Sequence, residues 1–232
     1  MPSQLPQLTI PYSQQTAQQL KQEASLLEAF ALEYSSCYDF RSPKNEGLDL
    51  EEFLQNLLQS RLLSEDWNGV IPSDQKLRVL QCIRLLLRDA EFKHEFAKLG
   101  GVEGICRVFA DISTNHFTQD TNPLNPGMLV ECASIVKRLA AEKANAPMLQ
   151  KCNVHCTLVY LLRTQHTQLL SVLLVTLLQL VEWTSLATAV GELDCVDVLL
   201  RILEEYDREF KLLAVDLLNS LSRHKSNCME LV

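Results

Sequence analysis

Leu99-Gly100-Gly101-Val102-Glu103-Gly104-Ile105-Cys106-Arg107-Val108-Phe109, Cys152-Asn153-Val154-His155-Cys156-Thr157-Leu158-Val159-Tyr160-Leu161-Leu162 and Leu193-Asp194-Cys195-Val196-Asp197-Val198-Leu199-Leu200-Arg201-Ile202-Leu203 are imperfect copies of one pattern. Each sets a valine and an apolar stripe at matching offsets. With Val102, Val154 and Val196 taken as equivalents, the copies recur after 52 and then 42 residues. A unit of this length cannot bury its apolar face alone, so successive copies must stack on one another.

Outward from these stretches the spacing predicts a three-helix rhythm of short, middle and long helices. The first round covers Glu91 to Leu99, about Val102 to Ile112, and about Met128 to Ala144. The second covers Pro147 to Cys152, Val154 to Arg163, and Thr167 to Trp183. The third covers Leu186 to Leu193, Cys195 to Tyr206, and Arg208 to Arg223. Leu139, Leu180 and Leu221 hold the same late position of the three long helices, at two steps of 41 residues. The longer first interval reflects an insertion between Ser113 and Gly127, rich in Asn and Pro, of the kind that forms a surface loop and often carries specificity. Lys225 to Val232 reads as the opening helix of a further unit. These features predict an all-α, armadillo-like α-solenoid, a superhelix of about three and a half three-helix repeats. Residues 1–48 are expected to form a disordered or extended start and an N-terminal capping helix. Residues 49–232 are expected to form the repeats, in an array truncated at its C-terminus.

Composition narrows the function classes. The net charge of −8 disfavours a nucleic-acid binder, whose affinity depends on Lys and Arg neutralising phosphates. It suits a protein partner with a basic face. Seven glycines in 232 residues are too few for a turn-rich β fold. The eight cysteines sit mostly inside helical apolar patterns, as Cys82 and Cys132 do, and read as buried reduced thiols. The longest apolar stretch, Leu169 to Val181, is short for a bilayer span and is interrupted by Ser171, Thr176 and Gln179. Neither a membrane nor a nucleic-acid partner is expected.

Catalytic constellations are missing. Gly100-Gly101-Val102-Glu103-Gly104 lacks the spacing of a phosphate loop and follows a helix, so it reads as a turn between helices. His-Arg-Asp and Asp-Phe-Gly occur nowhere in the chain. Cys152, His155, Cys156 and His166 have metal-ligand chemistry, but Asn153 interrupts the helix between the cysteines, and no second pair has zinc spacing. Trp67 and Trp183 are candidate stacking residues of a peptide groove, although Trp183, at the end of a long and very apolar helix, reads as a core or ridge residue first. No catalytic, cofactor-binding or metal residue is therefore assigned.

Candidate partner-binding residues fall in two groups. In armadillo proteins such as importins and catenins, an asparagine late in each long helix clamps an extended peptide. The corresponding positions here, one before Leu139, Leu180 and Leu221, hold Arg138, Gln179 and Ser220. Without an asparagine ladder, importin-like recognition is not expected. The densest acidic edge, Glu204-Glu205-Tyr206-Asp207-Arg208-Glu209, offers Glu204, Glu205, Asp207 and Glu209 to a basic partner.

Ser60-Arg61-Leu62-Leu63-Ser64-Glu65-Asp66-Trp67, Leu77-Arg78-Val79-Leu80-Gln81-Cys82-Ile83-Arg84-Leu85-Leu86-Leu87-Arg88-Asp89, Lys98-Leu99-Gly100-Gly101-Val102-Glu103 and Val198-Leu199-Leu200-Arg201-Ile202-Leu203-Glu204-Glu205-Tyr206-Asp207 resemble, in collinear order, the N-terminal armadillo region of the armadillo-bearing NIMA-related serine/threonine kinases. The resemblance runs from about Leu50 to Val232. It implies a non-catalytic interaction and regulatory segment of a parent kinase that phosphorylates proteins with ATP and magnesium. It also implies an association with cilia, beside the cytoplasmic setting that the reduced thiols suggest. The basic partner expected from the charge is then a separate protein or the parent's own kinase domain. No catalytic residue carries over, because the matching positions lie outside the kinase domain. The alternative expectation is a free-standing armadillo adaptor.

Overall fold

The structure, a computed structural model, describes residues 5–6, 8–36, 40, 48–114, 116–117 and 122–223. Every regular element among them is helical. The chain divides into two compact units, Met1–Gly104 and Ile105–Val232. This boundary lies inside the stretch that the sequence reads as one run of repeats from residue 49.

In the first unit, α1 (Ala17–Ser36), α2 (Leu50–Leu57), α3 (Ser73–Leu86) and α4 (Ala90–Lys98) surround a mixed core. Asp49 starts α2 by accepting the Glu52 amide at 2.8 Å, which satisfies one of the donors that a helix start leaves open. The helix then passes directly into a π-helical turn, Leu58–Leu62. α1 packs on α3, and α2 packs on both α3 and α4. Phe30 centres the aromatic core, 4.5 Å from Tyr34 and 5.0 Å from Phe53 by ring centroids. Apolar faces of Leu54, Leu57, Leu80, Ile83 and Leu86 fill the remainder.

The described part of the glutamine- and proline-rich start is packed against the first unit. Leu8 and Tyr12 are buried, and Tyr12–Gln14 forms a 3-10 turn before α1.

The second unit contains most of α5 (Gly101–Thr114), then α6 (Asn125–Ala140), α7 (Ala146–Lys151), α8 (Val154–Leu161), α9 (Thr167–Leu180), α10 (Thr184–Gly191), α11 (Cys195–Glu205) and α12 (Arg208–Ser222). The long helices α6, α9 and α12 pack in series. Leu139, Leu180 and Leu221 are all buried, as are Leu173 and Leu177 on α9. Thr176 is buried between two of the long helices without an open polar atom, because its Oγ1 donates to Val172 O at 2.7 Å and Ala133 O at 3.2 Å.

The long helix of the first round ends earlier than the sequence predicts. α6 stops at Ala140, and Lys143–Asn145 forms a separate 3-10 turn before α7. The inserted loop lies partly outside the described residues, and the expected fourth round, Lys225 to Val232, lies wholly outside them.

One register assignment needs correcting. Gly100 and Asn153 take positive φ, 81° and 53°, each immediately before a middle helix. Asn is among the few residues that tolerate this left-handed conformation. Asp194 holds the corresponding place before α11. Counting from these residues, the fifth is Ile105, Leu158 or Leu199 and the eighth is Val108, Leu161 or Ile202, all buried. Val154 therefore matches Gly101, and the valine alignment slips by one in the middle copy. The helix start is set by the backbone reversal before it, which a conserved-looking valine does not mark. On this count the recurrences are 53 and 41 residues, the second equal to the spacing of the long helices.

Candidate functional site

The two groups of candidate partner-binding residues lie on one unit, the acidic one around the start of α12 and the other late on α6, α9 and α12. Glu204 and Glu205 close α11, Asp207 sits at the N-cap of α12 and Glu209 in its first turn, all solvent-exposed. Ser220 is eleven residues beyond Glu209, which at ~1.5 Å per residue puts ~16 Å of helix between them. Arg138, Gln179 and Ser220 share one register position on α6, α9 and α12, and each is half-buried. Gln179 Nε2 donates to Glu182 Oε2 at 2.7 Å, which holds this amide toward the C-terminal end of α9.

The acidic edge has a structural role beside any binding one. Asp207 and Glu209 stand where the positive end of the α12 dipole favours carboxylates. The Arg201–Glu205 pair, at 3.9 Å with both side chains well exposed, is solvent-screened. The turn between the helices is fixed by Tyr206, whose hydroxyl donates to Thr164 O at 3.2 Å.

Thr164 joins this turn to the foot of the inserted loop, a connection that the sequence does not reveal. Its Oγ1 lies 3.0 Å from His116 Nε2 and accepts from the His166 amide at 3.2 Å. Phe117 meets Tyr160 edge-on at 5.2 Å, and both rings are exposed enough to touch a partner. Burial, with the neighbouring His166, holds His116 below the ordinary imidazole range.

The remaining sequence candidates take structural positions. Trp67 is buried in the first unit, with Lys76 Nζ 5.7 Å from its ring centroid. Trp183 is half-buried at the N-cap of α10 and donates from Nε1 to Ala140 O at 2.7 Å, a helix-joining contact. The left-handed Asn153 turns the chain between Cys152 and Cys156. Cys152 is half-buried and Cys156 exposed, whereas Cys82, Cys106, Cys132 and Cys195 are buried thiols. Burial raises the Cys132 thiol well above the usual range.

The sequence also gives no sign of a polar centre in the first unit. Arg61, carried on the π-helical turn, is fully buried. Its Nε and Nη2 donate to the two carboxylate oxygens of Glu23, at 2.8 and 2.6 Å. A lone arginine in an apolar helix pattern has no sequence-level signature for a partner 38 residues away.

No protein-family model matches the chain. The human serine/threonine-protein kinase Nek10 is 32% identical over 199 residues, 86% of this chain and 17% of the kinase. The mouse Nek10 is 32% identical over 199 residues, 86% of this chain and 18% of the kinase. The chain thus spans less than a fifth of the length of these curated relatives. Among solved structures, a designed armadillo repeat protein in complex with the peptide (KR)4 superimposes with a TM-score of 0.67 at 13% identity, over 97% of this chain and 89% of that one. Computationally designed armadillo repeat proteins for modular peptide recognition give 0.68 at 14% identity, over 96% and 89%. A structure concerning the interaction between cadherin and beta-catenin gives 0.70 at 17% identity, over 97% and 38%. Likeness at these identities bears on fold alone. The described residues form an all-helical armadillo-repeat region, and the chain is similar to one segment of a NIMA-related serine/threonine kinase.

Proposed function

We propose that this chain serves as the protein-interaction and regulatory segment of a NIMA-related kinase whose catalytic portion phosphorylates proteins. The observation that carries this reading is the 199-residue match to Nek10, on a chain whose fold elsewhere presents peptide-binding surfaces. The (KR)4 complex of a designed armadillo protein supports a peptide or protein partner. The exposed edge of Glu204, Glu205, Asp207 and Glu209 favours one with a basic face, either a separate protein or the parent's own kinase domain. Arg138, Gln179 and Ser220 replace an asparagine ladder, so recognition there runs through side chains of mixed chemistry. ATP and magnesium belong to the kinase portion. No described helix is long and apolar enough to cross a membrane. A setting in the cytoplasm and at cilia rests on the resemblance to the kinase.

Calorimetry on the purified chain tests the proposal with three probes: an alternating Lys/Arg peptide, the kinase domain of the parent, and ATP with magnesium. Saturable binding of the peptide or the kinase domain is expected, and none of the nucleotide. Stoichiometric nucleotide binding, or failure of both protein probes on a folded chain, overturns it.

A further inference from the structure

Residues 8–15 lie against the first unit in the manner of a bound peptide. Leu8 is fully buried and Tyr12 nearly so, whereas Thr9, Ile10 and Pro11 between them are exposed. Arg61 Nη1 donates to Leu8 O at 3.3 Å and Ile10 O at 3.2 Å. The chain bends at Ile10, which brings both carbonyls within reach of one guanidinium nitrogen. The guanidinium carbon also lies 5.7 Å from the Tyr12 ring centroid. Glu23 holds the other edge of the guanidinium in a two-toothed pairing, with Arg61 Nη1 also bonded to Ser60 O at 2.6 Å. The reader is thus aimed by groups outside the segment it reads.

The far end is fastened at two carboxylates. Ser13 donates from both its amide and Oγ to Asp66 Oδ2, each at 3.0 Å. Gln15 Nε2 donates to Glu23 Oε2 at 2.9 Å and to Ile10 O at 3.3 Å. Two apolar anchors, a rail for main-chain carbonyls and exposed spacers are how grooves take linear peptides. Beside the segment, a cleft of about 800 Å³ lined in part by Ile10, Glu23, Leu26, Phe53 and Asn56 leaves room for flanking residues.

The geometry points to a linear-peptide groove in the first unit, floored by Arg61 and Glu23, which the chain fills with its own residues 8–15 and which accepts in trans a peptide of the same bent course bearing a leucine and a tyrosine four residues apart. The groove is separate from the candidate residues on the second unit. Its own occupant is joined to α1 through Thr16 alone, which gives it an effective concentration on the order of millimolar over a free competitor. A trans peptide therefore enters only when the resident segment is weakened or itself engaged elsewhere.

The test uses the full chain with Leu8→Asp and Tyr12→Ala, which empties the groove but leaves its floor intact. Fluorescence anisotropy follows a labelled peptide of residues 5–15. Saturable binding to the double variant is expected, with at least about tenfold weaker binding to the unaltered chain. The same peptide carrying Leu8→Asp and Tyr12→Ala should not bind. Adding Arg61→Lys to the double variant retains the charge but removes the fork, and should weaken binding by at least about tenfold. A folded double variant that ignores the peptide overturns the proposal. A double variant that loses its helical circular dichroism does so as well, because the segment is then part of the core. Binding that is indifferent to Arg61→Lys also counts against it, by showing that the arginine reads nothing.

Discussion

The two units solve the same problem, burying helix faces, with opposite chemistry. The second is held by an apolar stripe repeated at a fixed interval, with Leu139, Leu180 and Leu221 in one position and Thr176 returned to backbone carbonyls. The first is centred on a buried ion pair and a ring cluster that occur once, Arg61 with Glu23 and Phe30 with Tyr34 and Phe53. Periodic apolar packing tolerates exchange of one hydrophobe for another of similar volume. A single buried charge does not, because each member depends on the other for its solvation. The units should therefore fail in different ways when cut.

The largest effect is expected in the first unit. Arg61→Ala leaves the Glu23 carboxylate buried without its partner, at a cost of about 3–5 kcal/mol. Replacing both members together, Arg61→Met with Glu23→Leu, removes the charge problem and should restore most of that loss. Denaturant unfolding of the two single variants and the double decides it. A double variant as unstable as the sum of the singles would show that the pair is not a coupled unit. In the second unit, Leu173→Ala or Leu177→Ala should cost about 2–5 kcal/mol through the cavity left behind. Leu177→Met should cost less than about 1.5 kcal/mol. Equal losses at Leu177→Ala and at the exposed Lys137→Ala would show that the register of the long helices is misassigned.

This contrast also explains what could be read in advance. The long-helix register was legible because Leu139, Leu180 and Leu221 are fixed by packing, and packing leaves a period in the sequence. The middle-helix register slipped by one because the backbone reversal that sets it is made by Gly100 in one copy and Asn153 in the next. Their shared conformation has no shared side chain. Arg61 was invisible for a different reason: its partners Glu23, Leu8 O and Ile10 O are 38 to 53 residues away. Contacts of that kind follow from tertiary geometry and imprint no local pattern. Of the candidate binding residues, the sequence supplied their helix positions but not the ~16 Å of α12 that separates the acidic edge from Ser220.

Acidification should separate the units more gently. His116 and His155 in the second unit are both held below the ordinary imidazole value, chiefly by burial, so the unfolded chain binds protons there first. Their contribution is fully present above about pH 6.5 and is lost as pH falls through the depressed folded values. In the first unit, the Ser13 amide and hydroxyl lower the Asp66 carboxylate. That contribution is present above the ordinary carboxylate value near 3.8 and is lost only as pH falls below it. Hydrogen exchange followed from about pH 7 to about pH 5 should therefore show protection falling on α8 and the base of the inserted loop while residues 12–15 stay protected. Simultaneous loss in both units would remove the histidines as the cause.

The smallest effect concerns binding and distinguishes the two groups of candidate residues on the second unit. Glu204, Glu205 and Glu209 are exposed, and Glu205 meets Arg201 only at 3.9 Å across a well-exposed pair, so reversing all three to lysine leaves the packed core untouched. Asp207 stays in place because it holds the N-cap of α12. Exposed charges act on encounter before contact, so the triple reversal should slow association with a basic partner by about tenfold at low salt. The slowing should fade as ionic strength rises and the screening length shrinks below ~8 Å. Gln179→Ala, on α9, alters a half-buried side chain and should raise the dissociation rate with little change in association. Stopped-flow measurement of both rate constants across a salt series tests the pair of expectations. If the triple reversal leaves the association rate and its salt dependence unchanged, the acidic edge is only the start of a helix, and Asp207 and Glu209 are there for the α12 dipole alone.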